Sequence, residues 1–393
     1  MMRILAMSPT FLPAVGGAEL LLLHVLRRLA QRHEVRLVTP QLPCRVVKRI
    51  GHSEYDGLVN FDVVRFDDAW SLMRLRGHRI MRGAIAPFSL SAVTAMHRAV
   101  RDFGPDVVNV HYCMPTGLAA VWAQRALDVP TVLSLTGRDV PGPGVPPLWR
   151  WWHRMVGRRV AQTTVITDWC RRAVWGTNSP PLPILPGGVD LPSVEDPART
   201  AAIRRQWGVP EGGALLFALQ RFDAVKRVDV LVRAMAHVRC AVPGAVLVIG
   251  GKGAERGACE ALARELGLED AVRFAGFVPD ADVAALMQAS EAFVFHSTYE
   301  TFGIVAAQAM ACARPVVAAA DPAVAEVVEH GRTGLLTPML DHEAMGRAVV
   351  EILTQPDLRR TMGQAGRRKA KACYTWDAVA AGYEAVFHDV TGA

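Results

Sequence analysis

The strongest constraint in this sequence is a rhythm that occurs twice. Short apolar, β-branched runs alternate with stretches whose apolar residues recur at helical spacing, and the pattern pauses and restarts at a Pro-rich segment. In the first half the runs are Ile4 to Ser8, Val35 to Thr39, Val107 to Val110, Thr131 to Thr136 and Val160 to Ile166, with an apolar-rich helix over Glu19 to Ala30. After a polar, Pro-rich stretch from Pro186 to Pro197 come Leu215 to Leu219, Ala245 to Ile249, Val272 to Phe274, Ala292 to Phe295 and Pro315 to Ala319. Helical patterns over Val228 to Arg239 and Glu255 to Leu266 separate them. Short apolar strands between helices form parallel sheets covered on both faces. The pattern predicts an α/β protein of two Rossmann-like domains in series, with a linker near 187–212. A last helical pattern spans Trp376 to His388. Ligands of open α/β sheets bind beyond the C-terminal strand ends, so two such domains facing each other would create one cleft.

Composition limits what such a cleft serves. The 393 residues, 51% hydrophobic and 21% charged, suffice for two separate cores. The formal charge of +7 suits phosphorylated small molecules, nucleic acid or anionic lipid, and equally a generally basic surface. No basic tail, zinc-finger spacing or aromatic RNA-binding motif is present, so nucleic acid is not an expected partner. Cys44, Cys113, Cys170, Cys240, Cys259, Cys312 and Cys373 are odd in number and form no CxxC pair, which argues against a structural zinc and a secreted disulfide framework. The opening run from Met2 to Met7 is too short for a signal peptide, and no apolar segment reaches the ~18 residues that span a bilayer. The expectation is a cytoplasmic enzyme.

Three segments carry the chemistry. Gly16-Gly17-Ala18-Glu19 puts a glycine pair directly before a helix, where the backbone can approach a ligand and free N–H groups can meet an anion. A plain tight turn accounts for it equally. Arg221 and Lys226 follow the Leu215 to Leu219 run; a planar guanidinium and a compact ammonium there can clamp a diphosphate, and a solvated loop is the alternative. Tyr299-Glu300-Thr301-Phe302-Gly303 follows the Ala292 to Phe295 run and precedes a helix rich in small residues. Glu300 there can accept sugar hydroxyls or act as an ordinary capping carboxylate.

With the Gly250-Gly251-Lys252-Gly253 turn, the run ETFGIVAAQAMACARPVV at 300–317 and the segment GRTGLL at 331–336, the chain resembles the GT4 family of glycosyltransferases over nearly its whole length. The resemblance implies a GT-B fold: an N-terminal acceptor domain over 1–190, a C-terminal nucleotide-sugar domain over 191–375, and a final helix, 376–390, returning to the first domain. It implies a retaining transfer of a hexose-type sugar from a nucleotide-diphosphate sugar, UDP preferred, to a hydroxyl of a small-molecule acceptor. No metal or other cofactor is expected. By position, Arg221 and Lys226 match the pair that neutralises the diphosphate, and Gly16, Gly17 and Gly251 fall in turns near it. Glu300 matches the first of the family's paired glutamates, which touches the transferred sugar. Phe302, Gly303, Ile304 and Val305 bring N–H groups to the phosphates. His111 matches a histidine lining the reaction centre, with an electrostatic or acceptor-positioning role, and Asp139 falls in a cleft loop of the acceptor pocket.

The sequence departs from the family pattern at several points. Gln308 stands at the second glutamate, His296 at a usual proline and Arg227 at a usual glycine. Ala320 and Asp321 stand where glycines are frequent, and Gly187 at a usual asparagine. Two further readings compete: an inactive sugar-nucleotide-binding protein, and a membrane-surface enzyme with a lipid-linked acceptor. The second draws on the alternating Trp and Arg of residues 148–154, on Arg158 and Arg159, and on Arg74, Arg76, Arg79 and Arg82. The simpler account packs those tryptophans into the core or an acceptor pocket, with the arginines in solvent. Oligomeric state is not legible.

Overall fold

The computed structural model describes residues 1–13, 16–41, 55–67, 89–137, 140, 142, 147–177, 179–193 and 195–392. The chain divides into two compact units, Met1–Gly188 with Trp376–Ala393, and Val189–Thr375. Each is a six-stranded parallel sheet with helices, the Rossmann-like unit of a GT-B protein.

In the first unit the strands are β1 (Arg3–Met7), β2 (Glu34–Pro40), β3 (Asp62–Phe66), β4 (Val107–His111), β5 (Thr131–Leu135) and β6 (Gln162–Val165), in the spatial order β3-β2-β1-β4-β5-β6. Every residue of β4 and β5 is buried, as expected for strands covered on both faces. Among the described residues, edge strand β3 has no fully buried residue. The helix Leu90–Phe103 starts where the Ser89 hydroxyl accepts the Ala92 N–H at 3.1 Å and stops at Gly104.

The helix Trp376–Thr391 completes this unit, burying Trp376, Val379, Ala380, Tyr383, Val386 and Phe387. Ion pairs flank it, Arg28 to Asp377 at 2.5 Å and Arg32 to Glu384 at 2.8 Å. Each large buried side chain contributes about 1.5–3 kcal/mol, and a surface ion pair about 0–1 kcal/mol. The apolar face therefore holds the helix, and the ion pairs refine its register.

The second unit contains β7 (Ala214–Leu219), β8 (Ala245–Gly250), β9 (Val272–Gly276), β10 (Ala292–Phe295), β11 (Val316–Ala319) and β12 (Gly334–Thr337), in the order β12-β11-β10-β7-β8-β9. Its core joins the inner residues of β7, β8 and β10 to the helices Val228–Ala241 and His342–Thr354. Part of the expected linker is helical. Pro197–Gln206 forms a helix capped by Asp196, whose carboxylate accepts the Ala198 N–H at 2.9 Å. A proline at the first helical position with an acidic cap starts a helix as readily as it marks a loop. Arg199 pairs with Asp282 at 3.0 Å, tying this helix to the same unit.

Candidate active site

In the second unit, adjacent strands β7 and β10 deliver the predicted chemistry at their C-terminal ends. Residues 220–227 leave β7, and residues 296–303 leave β10. The two loops are stitched by backbone: the Thr298 N–H donates to the Val225 carbonyl at 2.8 Å. Gln220, buried at the end of β7, adds a side-chain tie. Its Nε2 donates to the Lys226 carbonyl at 3.0 Å, and its Oε1 accepts the His296 N–H at 3.4 Å. A proline at 296 would have no N–H to give, so the departure at 296 is matched by a contact that only a non-proline residue makes.

Lys226 and Glu300 meet directly, Lys226 Nζ on Glu300 Oε1, and both side chains are largely buried. The Lys226 ammonium also lies 5.7 Å from the centre of the Phe295 ring. Arg221 stands outside this pair. It bonds Asp223 at 2.8 Å and leaves 57% of its side chain exposed. Of the two cations, one is held by a buried carboxylate and the other reaches into solvent.

Arg227 follows with φ 43°, in the left-handed region that favours glycine. The family's usual glycine fits that geometry. Here the arginine keeps it and binds the Asp229 carboxylate at 2.8 and 2.9 Å.

The glycine turn after β8 locks onto the same loop. Gly251 has φ 134°, and a Cβ there would stand 1.9 Å from the Gln220 carbonyl oxygen. The Phe222 N–H donates to the Lys252 carbonyl at 3.0 Å. Gly251 is thus required by backbone approach within the protein, whatever it does for a ligand.

Beyond Glu300, Phe302 is buried edge-on to Tyr374 with ring centres 5.3 Å apart. Gly303, at φ 83°, starts the helix Ile304–Ala311, so the N–H groups of Ile304 and Val305 fall in its first turn, before any intrahelical acceptor. Ala306, Ala307, Ala309, Met310 and Ala311 form its buried face. Ile304, Val305 and Gln308 are half-buried, and the i to i+4 step puts Gln308 over Ile304 on the outer side.

In the first unit, Gly16 and Gly17 open the helix Gly17–Leu29. A Cβ on Gly16 would come 2.7 Å from Glu19 Oε2, and Glu19 accepts the Thr10 hydroxyl at 2.6 Å. His111 ends β4, 1% exposed, stacked on Tyr383 with ring centres 6.0 Å apart. Among the described residues nothing hydrogen-bonds His111 Nε2. Burial pushes its imidazole down to about 3, so the ring is neutral at physiological pH. His296 is likewise buried and pushed down to about 4, chiefly by desolvation; its Nε2 accepts the Leu340 N–H at 3.1 Å. Asp139 lies outside the described residues, as do Arg74, Arg76, Arg79 and Arg82.

Sequence reading passed over Gln220 as a tie between loops and saw Asp321 only as a departure. Asp321 is buried and accepts the Glu300 N–H at 3.2 Å through Oδ2. The signal for Gln220 was its place between an apolar strand and Arg221. A lone polar residue has many uses there, and only the neighbouring loop selects one.

Among the described residues no group of three or more His, Cys, Asp or Glu is placed to hold a metal ion. Nor is any helix there long and apolar enough to cross a membrane.

Known proteins resemble this chain in sequence and fold. Residues 15–192 match the model of the family described as Glycosyltransferase Family 4, and residues 199–369 that of Glycosyl transferases group 1. The D-inositol 3-phosphate glycosyltransferase of Kribbella flavida is 32% identical over 303 residues, covering 72% of this chain and 71% of that one. The N-acetyl-alpha-D-glucosaminyl L-malate synthase of Bacillus anthracis is 24% identical over 97% of this chain and 96% of its own. The crystal structure of Anabaena HepE in complex with UDP superposes with a TM-score of 0.78 at 20% identity, covering 99% of this chain and 100% of that one. With both halves matched and a relative this similar over most of its length, the chain belongs to glycosyltransferase family 4 and is a nucleotide-sugar-dependent glycosyltransferase of the GT-B fold.

Proposed function

We propose that the chain transfers a hexosyl group, with retention of configuration, from a UDP-sugar to a hydroxyl of a small-molecule acceptor. The second unit takes the donor and the first the acceptor. The observation that carries this reading is the Lys226–Glu300 pair beside the first turn of the Ile304–Ala311 helix. Breaking the bond from the anomeric carbon to the diphosphate oxygen leaves negative charge on that oxygen. A fixed ammonium and helix N–H groups stabilise that charge without having to reorganise. Arg221, exposed and paired with Asp223, is the second cation that neutralises the diphosphate. Gly16 and Gly17 let the backbone at the start of their helix approach a phosphate of the donor. Gln308 reaches the ribose, and Glu300 accepts hydroxyls of the sugar.

His111 serves as a neutral group that orients the acceptor. With its imidazole pushed down to about 3, it brings no positive charge to the reaction. Asp139 contributes to the acceptor pocket. UDP is preferred because the similar HepE structure holds UDP. The test is a thermal-shift panel of UDP, GDP, ADP and dTDP, followed by their sugars, since a ligand stabilises the folded form in proportion to its differential binding. The largest shift is expected with UDP; an equal or larger shift with another nucleotide would overturn the choice of base.

A specific observation favours a second acceptor class. On the helix Pro147–Gly157, Leu148 and Trp151 are 62% and 57% exposed, while His153 and Val156 are the buried residues. Leu148 and Trp151 are three residues apart and share a face, with Arg158 and Arg159 exposed just beyond. Such a face suits an anionic bilayer and a lipid-linked acceptor. Sedimentation with anionic liposomes at low and physiological salt, for wild type and Trp151→Ser, separates the readings. Loss of binding in the variant supports the lipid-linked acceptor, and no binding by wild type removes it.

A further inference from the structure

Glu300 is held from two directions. Its carboxylate meets Lys226 Nζ, and its backbone N–H donates to Asp321 Oδ2 at 3.2 Å. Asp321 lies two residues beyond the end of β11 and is 3% exposed. Its other oxygen, Oδ1, accepts the Ala323 and Val324 N–H groups at 2.9 and 3.3 Å, organising the short turn Val324–Val327. One carboxylate thus fixes the loop after β11 with one oxygen and the loop after β10 with the other.

Burial pushes the Asp321 carboxyl up, the nearby Glu300 pushes the same way, and the three N–H donors oppose both. A buried acid beside a second acid is costly. Tying down one loop would need only the cap through Oδ1, which a serine could also supply. The tie to the Glu300 N–H needs the second oxygen. Glycine, frequent in the family near this position, has neither.

We propose that Asp321 is a positioning residue for the donor sugar: it sets the Glu300 backbone so that the Glu300 carboxylate faces the transferred hexose while bound to Lys226. This rests on the reading of Glu300 as the carboxylate that meets that sugar. Asp321 itself touches neither sugar nor nucleotide. Its influence therefore falls on the increment in affinity and rate that the sugar adds, and spares affinity for the bare nucleotide.

The test compares Asp321→Asn with wild type by equilibrium titration. The probes are the nucleoside diphosphate and its glucose conjugate that wild type binds best among the uridine, guanosine, adenosine and thymidine series. Asparagine keeps an oxygen for the Ala323 and Val324 N–H groups and turns an NH₂ toward the Glu300 N–H. Affinity for the bare nucleotide is expected within about twofold of wild type, with the extra affinity conferred by glucose lowered about tenfold. Asp321→Ser, which keeps the cap and lacks the second oxygen, should behave the same way and carries the comparison if Asp321→Asn does not fold. Placing Asp321→Asn in a Glu300→Gln background should add little further loss, because both act through one carboxylate.

Equal weakening of nucleotide and conjugate, or full additivity with Glu300→Gln, would make Asp321 a merely structural residue and overturn the proposal. If Glu300→Gln alone leaves the glucose increment intact, the reading of Glu300 fails. If Glu300→Gln removes that increment and Asp321→Asn does not, the Asp321 proposal alone fails.

Discussion

At the end of β4 in the first unit, His111 is buried against Tyr383, neutral, with no charged partner among the described residues. At the ends of β7 and β10 in the second, Lys226 and Glu300 pair, and Arg221 and Asp223 pair on the same loop. Both are strand ends of parallel sheets, where the fold offers binding sites. They differ in what they cost to build. Holding an ion pair out of water is expensive; a buried neutral imidazole with one unbonded ring nitrogen costs less, because no charge is desolvated. A protein bears that cost where charge appears in the reaction. In glycosyl transfer it appears on the departing diphosphate, while an attacking hydroxyl arrives uncharged. The contrast supports the proposal that the second unit takes the donor and the first the acceptor.

Removing Lys226 should give the largest effect. Lys226→Ala is expected to lower kcat/KM for a nucleotide-sugar donor by several hundredfold, about 3–4 kcal/mol. Activity within tenfold of wild type would mean that the pair is structural. Glu300→Gln in the same background relieves the unpaired carboxylate and separates lost folding from lost catalysis.

Acid sharpens the contrast from the other side. His111, held down to about 3, binds its proton far less readily in the folded state than in the unfolded one, where it titrates near 6.5. Its contribution to stability is fully present above pH 6.5 and is lost as pH falls toward about 3. Between pH 6.5 and 5 this amounts to about 2 kcal/mol. Denaturant midpoints across that range should therefore fall less steeply in His111→Asn than in wild type. His111→Asn should also slow transfer while leaving nucleotide affinity unchanged; loss of nucleotide binding in a folded variant would contradict the assignment of His111 to the acceptor side.

Arg221→Ala should cost less than Lys226→Ala, about tenfold in kcat/KM or about 1.4 kcal/mol, because the exposed guanidinium must be recruited from water and from Asp223. A loss as large as that of Lys226→Ala would mean that the bound state differs from the arrangement seen here.

Gln308→Glu should have the smallest effect. A carboxylate accepts both ribose hydroxyls where the amide accepts one, a difference of about 1 kcal/mol. The gain should be greater for a ribonucleotide donor than for its 2′-deoxy counterpart. Equal changes would show that Gln308 does not read the ribose.

Fold class was legible in the sequence because its signal is periodic and repeated; β4, β5, β7 and β8 all read directly from apolar runs bounded by glycine, proline or polar residues. Strand β3 was not, since it is largely solvated and its apolar residues are interrupted; β12, though mostly buried, was not either, because its apolar run is only Leu335 and Leu336. At the site, Lys226 and Glu300 could each be chosen by their place after a strand. That they pair while Arg221 stands apart could not, because 74 residues separate the partners and only the adjacency of β7 and β10 unites them. Gln220 and Asp321 escaped for the same reason: their roles are contacts between loops that no local spacing encodes.

The most direct test of the account is amide hydrogen exchange of the whole chain with and without UDP. The N–H groups of Ile304 and Val305 precede the first intrahelical acceptor and exchange readily until a phosphate accepts them. The account predicts new protection at 221–227 and 302–305 on adding UDP, with 107–112 unchanged. Protection at 107–112 with none at 302–305 would contradict it.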